Sequence, residues 1–177
     1  MTEFNHLKSI ENGKLLIKGK AGCGKSTLMK HLIKKEESGK TIDSRSVVCG
    51  FFFNTRGAAM EKSIEAMLRT LLHQLLLQNT ILYRSLKLFY SDIRIAKESQ
   101  VGVVDWTTET LIQMFEIALR LPGLTGLIYI DALDEGKGFL PWSIFEFLES
   151  QLSKSHEGSL GIYLSSRPNN FINHREK

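Results

Sequence analysis

The run Gly19-Lys20-Ala21-Gly22-Cys23-Gly24-Lys25-Ser26-Thr27 has the residue types and the spacing needed to hold a phosphate group. It fits the pattern G-x-x-x-x-G-K-[ST] in full. Glycines let the backbone turn tightly enough for successive N–H groups to point inward around an anion. A helix that starts near Lys25 adds the partial positive charge of its N-terminus. At this spacing the Lys25 ammonium reaches the outer phosphates of a nucleoside triphosphate, and the Ser26 hydroxyl ligates Mg²⁺. A plain glycine-rich turn is the competing reading. The flanks argue against it: strand-like Leu15-Leu16-Ile17 leads in, and Leu28, Met29, Leu32 and Ile33 follow at helical spacing. Cys23 stands at a variable position of the pattern and is read as a small residue that fits the loop.

A second cluster closes an apolar run: Leu127-Ile128-Tyr129-Ile130-Asp131-Ala132-Leu133-Asp134-Glu135. In phosphate-loop NTPases the first acid after such a strand, here Asp131, holds Mg²⁺ directly or through water. A further acid at the strand tip orients the attacking water. Asp134 and Glu135 both qualify, and the sequence does not choose between them. A solvated acidic turn after a core strand is the alternative for this cluster taken alone. A third run, Ile162-Tyr163-Leu164-Ser165-Ser166-Arg167-Pro168, places two hydroxyls and an arginine at the end of another apolar strand. If that strand neighbours the one before the phosphate loop, Arg167 can face the γ-phosphate and sense its presence. A surface ion pair is the alternative. Arg56, after a further apolar run, is either a phosphate or subunit contact or an ordinary loop arginine.

These residues need an α/β frame to meet. Strand-like runs fall at Leu15–Gly19, Ser46–Phe53, Leu127–Asp131 and Leu160–Ser165; the last three are apolar nearly throughout, as in parallel strands covered on both faces. Helical patterns lie between them. Ile64, Met67, Leu68, Leu71, Leu72, Leu75 and Leu76 mark an amphipathic helix over Glu61 to Gln78. A weaker pattern spans Leu82 to Ser99. Thr107 or Thr108 caps a third helix that runs through Leu111, Phe115, Ala118 and Leu119 and stops near Pro122-Gly123. Pro141 starts a fourth, which ends by Gly158. The β-then-α alternation predicts one open parallel sheet with its ligand crevice at the carboxyl ends of the strands.

Composition agrees. The 177 residues have room for one core, and 42% hydrophobic content suits a globular chain. No apolar run approaches a membrane helix, and the N-terminus has no secretory pattern, so a cytoplasmic protein is expected. Two cysteines make no disulfide framework. Residues 1–60 hold 11 Lys/Arg against 5 Asp/Glu, a basic excess that suits a polyanionic ligand near the loop. The lysines are scattered without aromatic interleaving, so no specific nucleic-acid partner is expected.

Taken together, the chain resembles a NACHT domain of the signal-transducing (STAND) NTPase class, in the subgroup of fungal nephrocystin-like and vegetative-incompatibility proteins. The resemblance rests on the phosphate loop, on Asp131-Ala132-Leu133-Asp134-Glu135, on Ser165-Ser166-Arg167 as the family's first sensor, and on Phe51-Phe52-Phe53-Asn54-Thr55-Arg56-Gly57 with the helix Met67-Leu68-Arg69-Thr70-Leu71-Leu72-His73-Gln74-Leu75-Leu76. It spans roughly Lys14 to Arg167, with residues 1–13 as a lead-in. It implies a three-layer, ASCE-type P-loop NTPase fold, a switch between a resting diphosphate form and an oligomerising triphosphate form, ATP or GTP with Mg²⁺, and neighbouring sensor and effector domains as partners. By it, Gly19 to Thr27 bind nucleotide, Ser26 and Asp131 hold the metal, and Asp134, Glu135 and Arg167 serve turnover. Competing classes lack their marks. There is no Asp-x-x-Gly or Asn-Lys-x-Asp for a Ras-like GTPase, no Ser-Gly-Gly for a transport ATPase, and no arginine-rich lid for a small kinase, since Arg84, Arg94 and Arg120 are dispersed. A non-hydrolysing nucleotide-bound scaffold remains the alternative from another class, and a small phosphate-loop kinase, which fits the length, remains a second. The family sheet has five strands and a lid; four strand candidates appear here. A truncated sheet is therefore expected, with the phosphate-loop strand at an edge.

Overall fold

Alternation of apolar side chains along each strand decides which element covers which face. In a computed structural model, residues 14–39, 46–54, 56–57, 62–98, 106–137, 141–153 and 160–168 are described. They form strands β1 (Lys14–Lys18), β2 (Ser46–Phe52), β3 (Thr125–Asp131) and β4 (Leu160–Ser166). The helices are α1 (Lys25–Ser38), α2 (Ile64–Gln78), α3 (Thr80–Glu98), α4 (Thr108–Leu119) and α5 (Pro141–Ser153). All strand pairs are parallel, in the order β1-β4-β3-β2, so among the described residues β1 lies at one edge.

Register puts Cys49, Ile128 and Ile162 in one cross-strand row, and Phe51, Ile130 and Leu164 in the next. These side chains form a single core with Met67, Leu71 and Leu75 of α2, Phe115 of α4 and Leu148 of α5. The opposite face carries Val48, Tyr129 and Tyr163, covered by Met29 and Leu32 of α1. The result is a three-layer α/β fold of the P-loop-like kind, its helices on both sides of the parallel sheet.

Element boundaries differ from the sequence reading by a few residues. The strand before the acidic box begins at Thr125 rather than Leu127, because Gly126 belongs to the sheet and not to the preceding turn. Its φ is 134°, and a Cβ there would stand 1.9 Å from the Val47 carbonyl oxygen, so only glycine permits the approach. The second helix starts at Ile64 because the Ser63 hydroxyl accepts the Ala66 N–H at 3.1 Å and caps it. The third starts earlier than Leu82, at Thr80, where the Asn79 side chain accepts the Leu82 N–H at 2.9 Å. Thr107, of the two threonines offered, caps α4. The lead-in 1–13, the helix start at Glu61, the ends at Ser99 and Gly158, and the tail after Pro168 lie outside the described residues.

The β2 edge is closed in an unusual way. Gln78 donates to Val48 O at 2.8 Å and accepts Val48 N–H at 2.9 Å. One turn earlier, Gln74 donates to Gly50 O at 2.9 Å and accepts Gly50 N–H at 2.7 Å. Each amide repeats the donor–acceptor pair that a neighbouring strand would present.

Candidate functional site

The strand order brings the carboxyl ends of β1, β4 and β3 side by side, and a cavity of about 260 Å³ opens there. The phosphate loop supplies one wall through Ala21, Gly22, Gly24, Lys25, Ser26 and Thr27. Ala132, Asp134, Glu135 and Arg167 supply the other. Gly22 and Gly24 have φ of 75° and 89°, a backbone region that side chains disfavour, and this is what wraps the loop before α1. Gly24 caps α1 with no side-chain hydrogen bond, and the first turn carries no acid. The helix N-terminus is thus kept available to an anion. A Cβ at Gly19 would lie 2.5 Å from the Cys23 sulfur, so the cysteine side chain would have to turn aside. Gly19, Lys20 and Cys23 shape the loop but do not line the cavity.

The Lys25 ammonium is folded back onto its own loop. It donates to Gly19 O at 2.6 Å and Lys20 O at 2.9 Å, and lies 3.8 Å from the Cys23 sulfur. A phosphate would have to draw it away from these carbonyls.

The two strand tips opposite are stitched together. Asp131 is only 2% exposed and does not line the cavity; the Ser165 hydroxyl donates to its carboxylate. The same hydroxyl accepts the Ala132 N–H at 3.0 Å. Ala132 is left-handed, with φ 54° and ψ 48°, and turns the chain into the short 3-10 segment Leu133–Glu135. That turn carries Asp134 and Glu135 back over the β4 end. Asp134 accepts the Arg167 main-chain N–H at 3.0 Å and the Ser166 hydroxyl at 3.3 Å, and its other oxygen pairs with Arg167 Nε at 3.1 Å. Glu135 pairs with Arg167 Nη2 at 3.1 Å. The Asp134 side chain is 4% exposed and that of Glu135 23%. The structure therefore separates the two acids that the sequence left equivalent: Asp134 is saturated and anchored, Glu135 is the more open. Arg56 is exposed in the turn after β2 and is not among the cavity-lining residues. The sequence reading placed Ser165 and Ser166 beside Arg167 in a sensor run; here their hydroxyls tie the two tips together.

The family model for "Nephrocystin 3, N-terminal" matches residues 2–167. The chain belongs to that family. A search of curated proteins finds no match. Among the described residues, no three His, Cys, Asp or Glu side chains converge as a ready-made metal site. Oxygen donors at the cavity are Ser26, Thr27, Asp134 and Glu135. Such a sparse hard-oxygen set suits Mg²⁺, which takes one or two protein ligands and completes its shell with water and phosphate oxygens. No helix among the described residues is long and apolar enough to cross a membrane.

Proposed function

We propose that this chain is a cytoplasmic nucleotide-binding switch domain of the NACHT type, of the fungal subgroup it resembles, that binds ATP or GTP with Mg²⁺ and hydrolyses it slowly in signalling. The observation that carries the reading is the meeting of six phosphate-loop residues, a helix N-terminus with no side-chain cap, two acids and an arginine around one cavity. In this reading the loop N–H groups and Lys25 hold the phosphates. Ser26 would hold a bound Mg²⁺ directly, and Asp131 would act on it through water. The ion, when bound, neutralises developing phosphate charge. Glu135 orients water, Asp134 fixes the strand tips, and Arg167 answers to the γ-phosphate. In full-length relatives, sensor and effector domains and further copies of the protein are the partners.

A non-hydrolysing scaffold is favoured by one observation: both acids at the strand tip are occupied by Arg167. Calorimetry with ATP, ADP, GTP and GDP, with and without Mg²⁺, tests the binding half. The expected result is saturable binding of at least one triphosphate that weakens without Mg²⁺ and weakens further in Asp131→Asn. No heat with any of the four overturns the reading. Phosphate release under single-turnover conditions separates switch from scaffold; turnover that falls in Glu135→Gln supports the switch.

A further inference from the structure

The same arginine that the proposed function assigns to the γ-phosphate is already committed to two carboxylates. We propose that Asp134 and Glu135 compete with the terminal phosphate for the Arg167 guanidinium, and that this competition sets the domain's preference between nucleoside diphosphate and triphosphate. The inference rests on the reading of the cavity as a nucleotide site.

Three features of the geometry carry it. First, the guanidinium bridges the two acids, with Nε on Asp134 and Nη2 on Glu135, each at 3.1 Å, inside the cavity rather than away from it. A phosphate oxygen and a carboxylate oxygen present the same kind of acceptor to the planar fork of an arginine, so one displaces the other. Second, the two anchors are unequal. Asp134 keeps the Ser166 hydroxyl and the Arg167 main-chain N–H whether or not the guanidinium stays. The turn therefore survives the transfer and Asp134 remains satisfied. Glu135, which lines the cavity, surrenders its contact to Nη2. Third, the Arg167 side chain is 50% exposed, so it has room to swing, and its backbone is pinned so that the swing is about the side chain alone.

The consequence is selective. A diphosphate needs only Lys25 to leave the Gly19 and Lys20 carbonyls. A triphosphate needs that and the release of Arg167 from the two acids. Resting preference for the diphosphate then comes from one ion-pair exchange. Glu135 acts on affinity as a specificity-determining residue, through Arg167.

A double-mutant cycle on the whole chain tests this. Equilibrium affinities for a β,γ-imido triphosphate analogue and for the matching diphosphate are measured with Mg²⁺ in wild type, Glu135→Gln, Arg167→Gln and the double variant. The competition predicts that Glu135→Gln raises the triphosphate-over-diphosphate preference about threefold to fivefold, the scale of a half-exposed ion pair. It further predicts that the rise vanishes in the Arg167→Gln background, because the coupled partner is gone. A rise of equal size in both backgrounds is general relief of negative charge and overturns the proposal, as does no rise at all. Diphosphate binding by each variant reports an intact loop and fold. If wild type binds neither nucleotide, the nucleotide reading itself falls; if it binds both and the cycle shows no coupling, only the competition falls.

Discussion

The β2 edge and the mouth beside β1 are both satisfied by side chains, but with opposite chemistry. At β2, two neutral amides on one face of α2 each make a two-point bond with the strand backbone. At the mouth, full charges are satisfied by neighbours: Lys25 by two carbonyls of its own loop, Arg167 by two acids. A backbone–amide pair has no stronger competitor in water, so it makes a permanent margin. A charged group held by its neighbours yields to a polyanion that offers more charge. One margin belongs to the fold, the other to the ligand, and each should fail in its own assay.

The largest effect is expected at the neutral margin. Replacing Gln74 and Gln78 together by alanine orphans up to four backbone groups and should cost about 3 kcal/mol, seen as a lower urea midpoint. Phosphate-loop affinity should hardly move. An unchanged midpoint would show that something other than these amides closes the edge. The charged margin should respond in the reverse sense. Lys25→Ala should lose on the order of 2 kcal/mol of triphosphate affinity, about thirtyfold, with the unfolding midpoint preserved. Binding within about twofold of wild type would remove Lys25 from the site.

The smallest effect sharpens the comparison from within the core. Tyr129 packs edge-on against Tyr163, with ring centroids 5.1 Å apart, and its buried hydroxyl has no hydrogen-bond partner among the described residues. Burial first, then Glu36 and Tyr163, raise its pKa above the ordinary tyrosine value. Stability from this group is therefore fully present below about pH 10, the ordinary value, and drains away as pH climbs past it. Tyr129→Phe should change neutral-pH stability by a few tenths of a kcal/mol and flatten the alkaline limb. A steeper alkaline limb in the variant would contradict this.

Much of the site was legible because its parts are local in the chain. The phosphate loop, the acidic tip and Arg167 are each short runs whose chemistry depends on neighbours in sequence. The frame was legible for a similar reason: buried parallel strands read as continuous apolar runs. What escaped depends on register and packing. Gln74 and Gln78 look like the polar face of an amphipathic helix until β2 is laid beside it. The choice between Asp134 and Glu135 turns on the left-handed Ala132 and on which acid meets the Arg167 backbone. Gly126 looks like a turn residue because its partner, Val47, is far away in the chain.

That glycine has a reach beyond its own contact. Only glycine can stand opposite Val47 in the backbone conformation that position 126 has, and this marks the register of β3 on β2. The strand works as a ruler with its zero mark at Gly126. Asp131 is read off five positions later, roughly 16 Å up the sheet at about 3.3 Å per residue. The height at which the acids stand beside the loop is therefore fixed from the far end of the sheet.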